Sequence, residues 1–301
     1  MESKSHSDRI VFWDRATQSY KEEKVYGNHW LKLVYETRLG QVLADNVFSK
    51  RWLSYLVGKY ESSEMSRRKI SSFIEDFSID MNEFEEKEYG SFNDFFIRKF
   101  KDDKRPFVEA QNILPAPAEA RYFAYNRLDL NQKFSIKGLS LDALAILKEP
   151  QWAKEFEGGP VLIARLCPTD YHRFHFPDDG TYRANYRISG NYHSVNPVAL
   201  SAKENVFGIN ERHVSILDTK NFGLLGYVEV GAMCVGKIIQ SHPWAKAFKR
   251  GQEKGYFLFG ASTVLLFGQK DAWLPDADLI ERTERHHETL IRLGDGMGRR
   301  I

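Results

Sequence analysis

Ser262 stands in a short break of small residues between two hydrophobic runs, residues 256–259 and 264–267. Both runs are rich in aromatic and aliphatic side chains, which is typical of buried strands. A Gly-Ala-Ser-Thr break in such a run is typical of a close backbone approach or of the tight turn of a hairpin. The chemical alternative makes Ser262 a nucleophile on strained backbone, which requires a general base and an orienting group elsewhere in the chain.

Two histidines, His172 and His175, lie three residues apart in a short aromatic segment. Three interpretations compete for them. They are metal ligands, with Cys167 or Asp170 as further ligands; they are hydrogen-bonded structural residues; or one is the base for Ser262 and the other an acid or base toward a substrate. A His-x-x-His pair alone is a weak signal, and no further cluster has metal-site spacing, so we predict no metal.

Composition limits the class of protein that can carry these residues. The chain has 301 residues, of which 42% are hydrophobic, 14% aromatic and 28% charged, which is typical of a globular protein with a substantial core. A net charge of +2 gives no case for a nucleic-acid partner. Two cysteines favour a reducing compartment. We find neither a secretory signal nor an apolar run of the roughly 18 residues that span a bilayer.

The first third of the chain is predicted to be helical after a polar arm over residues 1–27. Apolar residues recur at helical spacing in residues 30–35 and 47–57, with aromatic side chains on one side and basic residues beside them. Such helices either lie in a membrane interface or pack on their own domain, and the sequence alone leaves both open.

Two further helices are predicted before the pattern changes near residue 106. One covers Ile70 to Phe77, with Ser66 as its N-cap, and the other begins at Ser91, whose partner in a capping-box-like pair is Asp94.

Strand patterns dominate the rest of the chain. A proline-marked strand entry covers residues 113–125, a short helix covers 139–147, and Pro150 opens another helix. The later strands are predicted at 161–167, 181–188, 213–218, 224–236, 256–259 and 263–267. Strands and helices do not alternate, which argues against a doubly wound parallel sheet. We therefore predict an α+β protein with a helical N-terminal region, residues 1–106, followed by a largely antiparallel β core, residues 107–301.

Several stretches, in this order and spacing, resemble the bacterial, pyruvoyl-dependent form of phosphatidylserine decarboxylase. The resemblance runs from about residue 20 to about residue 298. The stretches are Ser91-Phe92-Asn93-Asp94-Phe95-Phe96-Ile97-Arg98, Arg105-Pro106, Asp170-Tyr171-His172-Arg173-Phe174-His175, Ser194-Val195-Asn196-Pro197, Asn210-Glu211-Arg212, Val230-Gly231-Ala232 and Gly260-Ala261-Ser262-Thr263.

The resemblance implies a proenzyme that cuts itself between Ala261 and Ser262. In that reading His175, oriented by Glu119, takes the proton of the Ser262 hydroxyl, as in a serine triad. The products are chains 1–261 and 262–301, the second capped by a pyruvoyl cofactor formed from Ser262. His172 then supplies the proton that replaces the carboxylate lost from the substrate.

Three positions depart from the family pattern. Glu119 and Ala120 stand where aspartate and glycine are usual, and Ala261 stands where glycine commonly precedes the serine. Glutamate is one methylene longer, and alanine adopts a positive φ less readily than glycine. These departures motivate the alternative of a non-processing, catalytically impaired lipid-binding relative.

The resemblance also implies the partners and the place of action. These are phosphatidylserine, the precursor of phosphatidylethanolamine, and an anionic membrane surface contacted peripherally at the cytoplasmic face of a bacterial inner membrane. A homodimer is implied in the same way.

Overall fold

A computed structural model describes residues 10–24, 34, 37–128, 142–195, 200, 205–232, 237–260 and 262–301. The predicted helix over residues 30–35 lies almost wholly outside these ranges, as do Ala261 and the end of the strand predicted to reach residue 236.

The described part of the chain is an α+β protein, as predicted. Its helices are α1 (Arg38–Leu43), α2 (Arg51–Glu61), α3 (Ile70–Phe77), α4 (Phe92–Phe96), α5 (Ala143–Leu147), α6 (Pro150–Glu155), α7 (Val206–Ile209) and α8 (Ala277–Glu284). A π-helical turn, Ala44–Phe48, joins α1 to the segment before α2, and 3-10 turns cover Glu64–Lys69 and Met81–Glu83.

Fifteen strands are described. They are β1 (Val11–Asp14), β2 (Ser19–Glu22), β3 (Ile113–Pro115), β4 (Ala120–Tyr125), β5 (Val161–Leu166), β6 (Arg173–His175), β7 (Gly180–Ile188), β8 (Arg212–Thr219), β9 (Gly223–Gly231), β10 (Ile238–Gln240), β11 (Glu253–Phe257), β12 (Ser262–Gly268), β13 (Trp273–Pro275), β14 (Glu288–Ile291) and β15 (Gly296–Arg300).

A nine-stranded sheet in the order β2-β1-β14-β4-β5-β12-β9-β8-β7 forms the centre of the molecule. Its neighbours pair antiparallel except β1 and β14, which run parallel. Strand β12 lies between β5 and β9 and is buried along its whole length, which explains its continuous run of apolar residues. The catalytic candidate Ser262 is therefore at the start of a central strand.

Two details of the N-terminal region differ from the sequence predictions, and a third confirms them. The predicted arm contributes β1 and β2 to the edge of the main sheet, because Phe12 pairs in register with Glu288. Ser66 is not an N-cap: its hydroxyl donates to the Glu61 and Ser63 carbonyls within a 3-10 turn. Ser91 does cap α4, since its side chain accepts a hydrogen bond from the Asp94 N–H, as predicted.

The hydrophobic runs on either side of Ser262 do not form a hairpin. Strand β11 pairs with β6 and β10 in a separate three-stranded sheet, while β12 belongs to the main sheet. The chain changes sheets between β11 and β12, where Gly260 has a φ of 140°, a backbone conformation that residues with a side chain rarely adopt. The N–H of Phe259 is held by the side-chain oxygen of Asn93 on α4, at 2.7 Å. A side chain from the N-terminal helices thus takes the place of a hairpin partner.

An aromatic cluster joins the N-terminal helices to this crossing. Phe73 of α3 and Phe92 and Phe96 of α4 pack together with Phe259. The rings of Phe92 and Phe96 both meet the Phe259 ring edge-on, with centroids 5.2 Å apart in each case. Burial of these large rings contributes several kcal/mol, and it fixes the segment that leads into Ser262.

Candidate active site

Ser262 is buried with its hydroxyl unused. It pairs with Leu166 of β5 on one side and with Gly231 of β9 on the other. Among the described residues its Oγ has no hydrogen-bond partner. A buried hydroxyl without a partner costs free energy, on the order of 1–3 kcal/mol, and such groups in native proteins are commonly functional.

His172 is another buried group with an open polar atom. Its Nδ1 donates to the Asp170 carbonyl at 2.9 Å, so its lone pair is on Nε2, which has no partner among the described residues. Its ring is fully buried against Phe96, with ring centroids 3.9 Å apart. Burial lowers the pKa of His172 to about 3; the hydrogen bond to the Asp170 carbonyl opposes this shift, and nearby Arg98 adds a smaller lowering. The imidazole is therefore a neutral base at physiological pH.

The backbone brings His172 to the chain crossing before Ser262. Its carbonyl accepts a hydrogen bond from the Phe257 N–H, at 2.9 Å. Phe96 contacts both the His172 ring and the Phe259 ring. The structure thus places His172 and the segment that precedes Ser262 around one aromatic side chain.

His175 is the last residue of β6, the short strand that begins directly after His172. It pairs with Glu253, at the start of β11, whereas the carbonyl of His172 meets Phe257 at the end of β11. Its Nδ1 donates to the Gly251 carbonyl at 2.8 Å, and its Nε2 is 3.3 Å from the Tyr171 hydroxyl. Burial lowers the pKa of His175 as well. Both ring nitrogens are therefore engaged away from Ser262.

Glu119 is held by an arginine. Arg105 donates to it from Nε at 2.5 Å and from Nη2 at 3.1 Å, and the Leu293 N–H adds a longer contact of 3.3 Å. The backbone near Glu119 does adjoin the histidine segment, because the His175 N–H donates to the Pro117 carbonyl at 2.8 Å. No hydrogen bond joins the side chains of Glu119 and His175 in the described structure. The orienting role of Glu119 therefore stays a prediction.

A buried charge network supports the turn that carries His172. Arg121 binds Asp170, whose carboxylate also accepts from the Cys167 N–H at 2.7 Å. Behind this turn, Arg165 and Arg121 lower the pKa of Glu23 to about 2 although burial acts in the opposite direction.

Asp170 and Cys167, considered above as metal ligands, instead contact arginines and backbone groups. Within the described ranges no group of three His, Cys, Asp or Glu residues is placed to hold a metal ion.

A cationic cavity lies between α2 and the main sheet, and the sequence did not predict it. Its volume is about 380 Å³, and its walls include Arg51, Arg187, Glu211 and Lys237. The one local indication of an anion site was Arg51, because the helix dipole disfavours a cation in the first turn of a helix.

Comparison with known proteins identifies the family. The family model described as phosphatidylserine decarboxylase matches residues 92–295, more than half of the chain. This chain belongs to the phosphatidylserine decarboxylase family. The matched range contains all four candidate side chains, Glu119, His172, His175 and Ser262.

Curated relatives match nearly the whole chain. A protein of Clostridium novyi (strain NT) is 41% identical over 294 residues, covering 97% of this chain and 100% of its own. Relatives from Clostridium perfringens (strain SM101) and Clostridium tetani (strain Massachusetts / E88) are also 41% identical, covering 96% and 97% of this chain and 99% of their own. Each is named phosphatidylserine decarboxylase proenzyme. The similarity therefore includes the N-terminal helices that precede the family model.

Proposed function

We propose that this protein decarboxylates phosphatidylserine to phosphatidylethanolamine, after it cuts itself between Ala261 and Ser262. The observation that carries the proposal is the buried Ser262 hydroxyl, which has no hydrogen-bond partner among the described residues and stands at the start of a central strand, two residues after the positive-φ Gly260. A hydroxyl in this position is excluded from water and has no hydrogen bond with a described residue to lose when it reacts.

Self-cleavage needs a base and an exposed carbonyl. The base removes the Ser262 Oγ proton, Oγ attacks the Ala261 carbonyl carbon, and an N-to-O acyl shift converts the peptide bond into an ester. β-Elimination of the ester then releases residues 1–261 with a new C-terminal carboxylate and leaves dehydroalanine at residue 262. Loss of ammonia after hydrolysis gives the pyruvoyl group at the start of residues 262–301.

The assignment of the base remains a proposal. His175, oriented by Glu119, is the residue that the family resemblance implies. Its engaged ring nitrogens mean that it must release Gly251 or Tyr171 before it can act on Ser262. His172 has its Nε2 lone pair open in the present arrangement. Substitution of each histidine in turn distinguishes the two, as set out in the Discussion.

The surroundings of Ser262 fit the pyruvoyl group. It is made from the side chain and backbone of residue 262 itself, so it needs no binding pocket, and no described side chain competes for Oγ. The group supplies an electron sink for decarboxylation, in the way that pyridoxal phosphate does. His172, neutral and with Nε2 open, can take a proton from the substrate ammonium and return it to the carbon that loses carbon dioxide. We therefore assign His172 the proton transfer.

The lipid substrate requires a membrane surface, which we assign to the N-terminal helices. Trp52, Tyr55 and Leu56 of α2 are each more than half exposed, and Val42 on α1 is 57% exposed. Exposed Lys59 and Arg51 lie on the same helix as three of these residues. This combination favours peripheral contact with anionic lipid, in keeping with action at the cytoplasmic face of a bacterial inner membrane. No described helix is long and apolar enough to cross a bilayer.

Intact mass and denaturing electrophoresis test the proposal directly. Purified protein should run as two chains, with residue 262 carrying the pyruvoyl mass, and should form phosphatidylethanolamine from phosphatidylserine in mixed micelles. Ser262→Ala should run as one chain without activity, because no nucleophile remains. Ser262→Cys should cut at least partly, because a thiol forms the analogous thioester.

Two results would contradict the proposal. Normal two-chain protein from Ser262→Ala would overturn the cleavage site. A single chain from the unsubstituted protein would favour the non-processing relative that Glu119, Ala120 and Ala261 suggest.

A further inference from the structure

The cationic cavity described above lies between the start of α2 and the β7–β8 side of the main sheet. Arg51, Ser54 and Tyr55 of α2 form one wall, and Arg187, Glu211 and Lys237 form the facing wall. The helix is fixed to the sheet domain at this point, because the Tyr192 N–H donates to the Ser49 carbonyl at 2.9 Å. Tyr192 itself lines the cavity.

The cavity lies on the face of the sheet to which the Ser262 side chain points. Ser262 is directly opposite Gly231 in register, and the Gly231 N–H donates to the Glu211 carbonyl, so these three residues form one row across the sheet. Directly opposite residues of antiparallel strands project to the same face, with about 5 Å between neighbours. A Cβ placed on Gly231 would lie 3.5 Å from the Tyr192 ring and 3.8 Å from Ile238, both of which line the cavity. Glycine at 231 therefore leaves space between Ser262 and the cavity.

The walls offer positive charge that is not already neutralised. Arg51 and Lys237 form no ion pair with any described residue, and both are exposed at the cavity rim. Arg187 binds Glu211 at 2.6 Å and is half exposed. Arg212 is different, because its guanidinium donates to the Ala145, Ile146 and Asn210 carbonyls and is not available to a ligand.

The start of α2 adds a second, independent preference for an anion. Its N-cap residue, Lys50, makes no side-chain capping hydrogen bond, so the positive end of the helix dipole is uncompensated there. Ser54, one turn into the helix, is 3% exposed, and its Oγ has no partner among the described residues. An uncapped helix start, two unpaired cations and a buried free hydroxyl together match a phosphate group.

We propose that this cavity binds the phosphodiester of the lipid headgroup, with Arg51, Lys237 and Ser54 as its ligands, and thereby presents the substrate amine to residue 262. The proposal rests on the proposed function and adds the residues that recognise the substrate. The lipid tails leave over Tyr55, which lines the cavity and is 59% exposed, toward Trp52 and Leu56. One helix thus forms both the phosphate site and the surface assigned to the membrane.

Binding measured without turnover tests the cavity separately from the chemistry. The background is Ser262→Ala, which keeps the cavity and cannot form the pyruvoyl group. Calorimetric titration in a phosphate-free buffer uses two probes, glycerophosphoserine as the water-soluble headgroup and inorganic phosphate. We expect glycerophosphoserine to bind more tightly, because the headgroup also reaches toward residue 262.

Three substitutions and one control define the site. Arg51→Gln and Lys237→Gln should each raise the Kd for glycerophosphoserine by about tenfold, as expected for a lost charge-assisted hydrogen bond. Ser54→Ala should raise it by about threefold without lowering the urea midpoint, because the free hydroxyl contributes nothing to folding. Lys59→Gln, on the same helix but outside the cavity, removes an equal charge and should change the Kd by less than about twofold.

Two results would overturn the assignment. The first is a Kd for glycerophosphoserine that does not change in Arg51→Gln and Lys237→Gln. The second is inorganic phosphate binding as tightly as glycerophosphoserine, which would make the cavity a site for free phosphate. Failure of the proposed function gives a different pattern: the unsubstituted protein forms no phosphatidylethanolamine, while the Ser262→Ala variants still bind glycerophosphoserine as expected, which supports the cavity.

Discussion

Replacement of His172 by phenylalanine should make the free energy of unfolding fall less as the pH is lowered from 7 to 5. Burial lowers the pKa of His172 from its ordinary value of 6.5 to about 3. The folded chain therefore keeps this ring neutral over a range in which the unfolded chain protonates it. The stability that His172 contributes is complete above pH 6.5 and is lost as the pH falls toward 3. Phenylalanine fits the aromatic site beside Phe96 and has no proton to bind.

The expected size follows from the pKa difference. At pH 7 protonation of His172 in the unfolded chain costs folding about 0.2 kcal/mol, and at pH 5 it costs about 2 kcal/mol, at 1.36 kcal/mol per pKa unit. The free energy of unfolding of His172→Phe relative to the parent should thus rise by about 2 kcal/mol between pH 7 and pH 5. This difference depends only weakly on the folded pKa, because protonation of the folded form is negligible at pH 5.

Urea unfolding in the Ser262→Ala background measures the difference, because every variant then stays a single chain. Substitution of exposed His286 by asparagine, which tolerates its φ of 60°, is the control for the loss of a histidine from the surface. Parallel pH profiles for the parent and His172→Phe would refute the reasoning. They would mean that the ring is charged or hydrated in the folded chain, and the role of His172 as a neutral base would no longer be tenable.

Three more results are expected. On denaturing gels His172→Ala should still yield two chains, but it should form little phosphatidylethanolamine, whereas His175→Ala should remain a single uncut chain. An uncut His172→Ala would instead show that His172 takes part in self-cleavage. Glu119→Ala should slow cleavage by orders of magnitude if its carboxylate orients the base. Unchanged cleavage would mean that Glu119 has only a structural contact with Arg105. Glu119→Asp should be cleaved at least as fast as the parent unless the pocket has adapted to glutamate. Replacing Trp52 and Leu56 by glutamine should lower partitioning onto anionic liposomes by about 100-fold, because each side chain loses roughly 1.5 kcal/mol of apolar burial, while cleavage is retained. Exposed Leu274, replaced by glutamine in the same way, is the control. Equal losses of partitioning in both variants would mean that the membrane contact lies elsewhere.

Local patterns predicted the elements well. The strands predicted at 161–167, 181–188 and 213–218 agree with β5, β7 and β8 to within a residue. Aromatic and β-branched residues between turn signals are sufficient for such strands, because their side chains pack on a pleated surface wherever the sheet lies. The Ser91 cap of α4 was predictable for the same reason, since its hydrogen bond is made within four residues.

Pairings between distant segments were beyond this reasoning. The hairpin expected at residue 260 does not form, because Asn93 and Phe96, far earlier in the chain, hold the crossing segment. Strands β1 and β14 pair across more than 270 residues. Nothing in a short window of sequence specifies either contact, because register is set by which faces are buried in the whole sheet.

In the candidate site, too, features within one segment were predictable and contacts between distant segments were not. His172 and Ser262 were predicted from their own segments, and the structure places their segments around Phe96. The contact between Glu119 and Arg105 was not foreseen, although only 14 positions separate them, because Glu119 was considered only as the group that orients His175. The cavity cations Arg51 and Lys237 belong to no local motif. Only the folded chain brings them to facing walls of one cavity.

The N-terminal helices connect the two halves of the proposed reaction. Phe96 of α4 contacts His172 and Phe259, so these helices hold the crossing at which cleavage is proposed. Arg51 and Ser54 of α2 line the cavity beside Gly231, so the same region forms the proposed phosphate site. A helix that lies on a membrane through Trp52 would therefore fix the distance between the lipid phosphate and residue 262. Membrane contact, in this arrangement, sets the position of the substrate amine as well as its concentration.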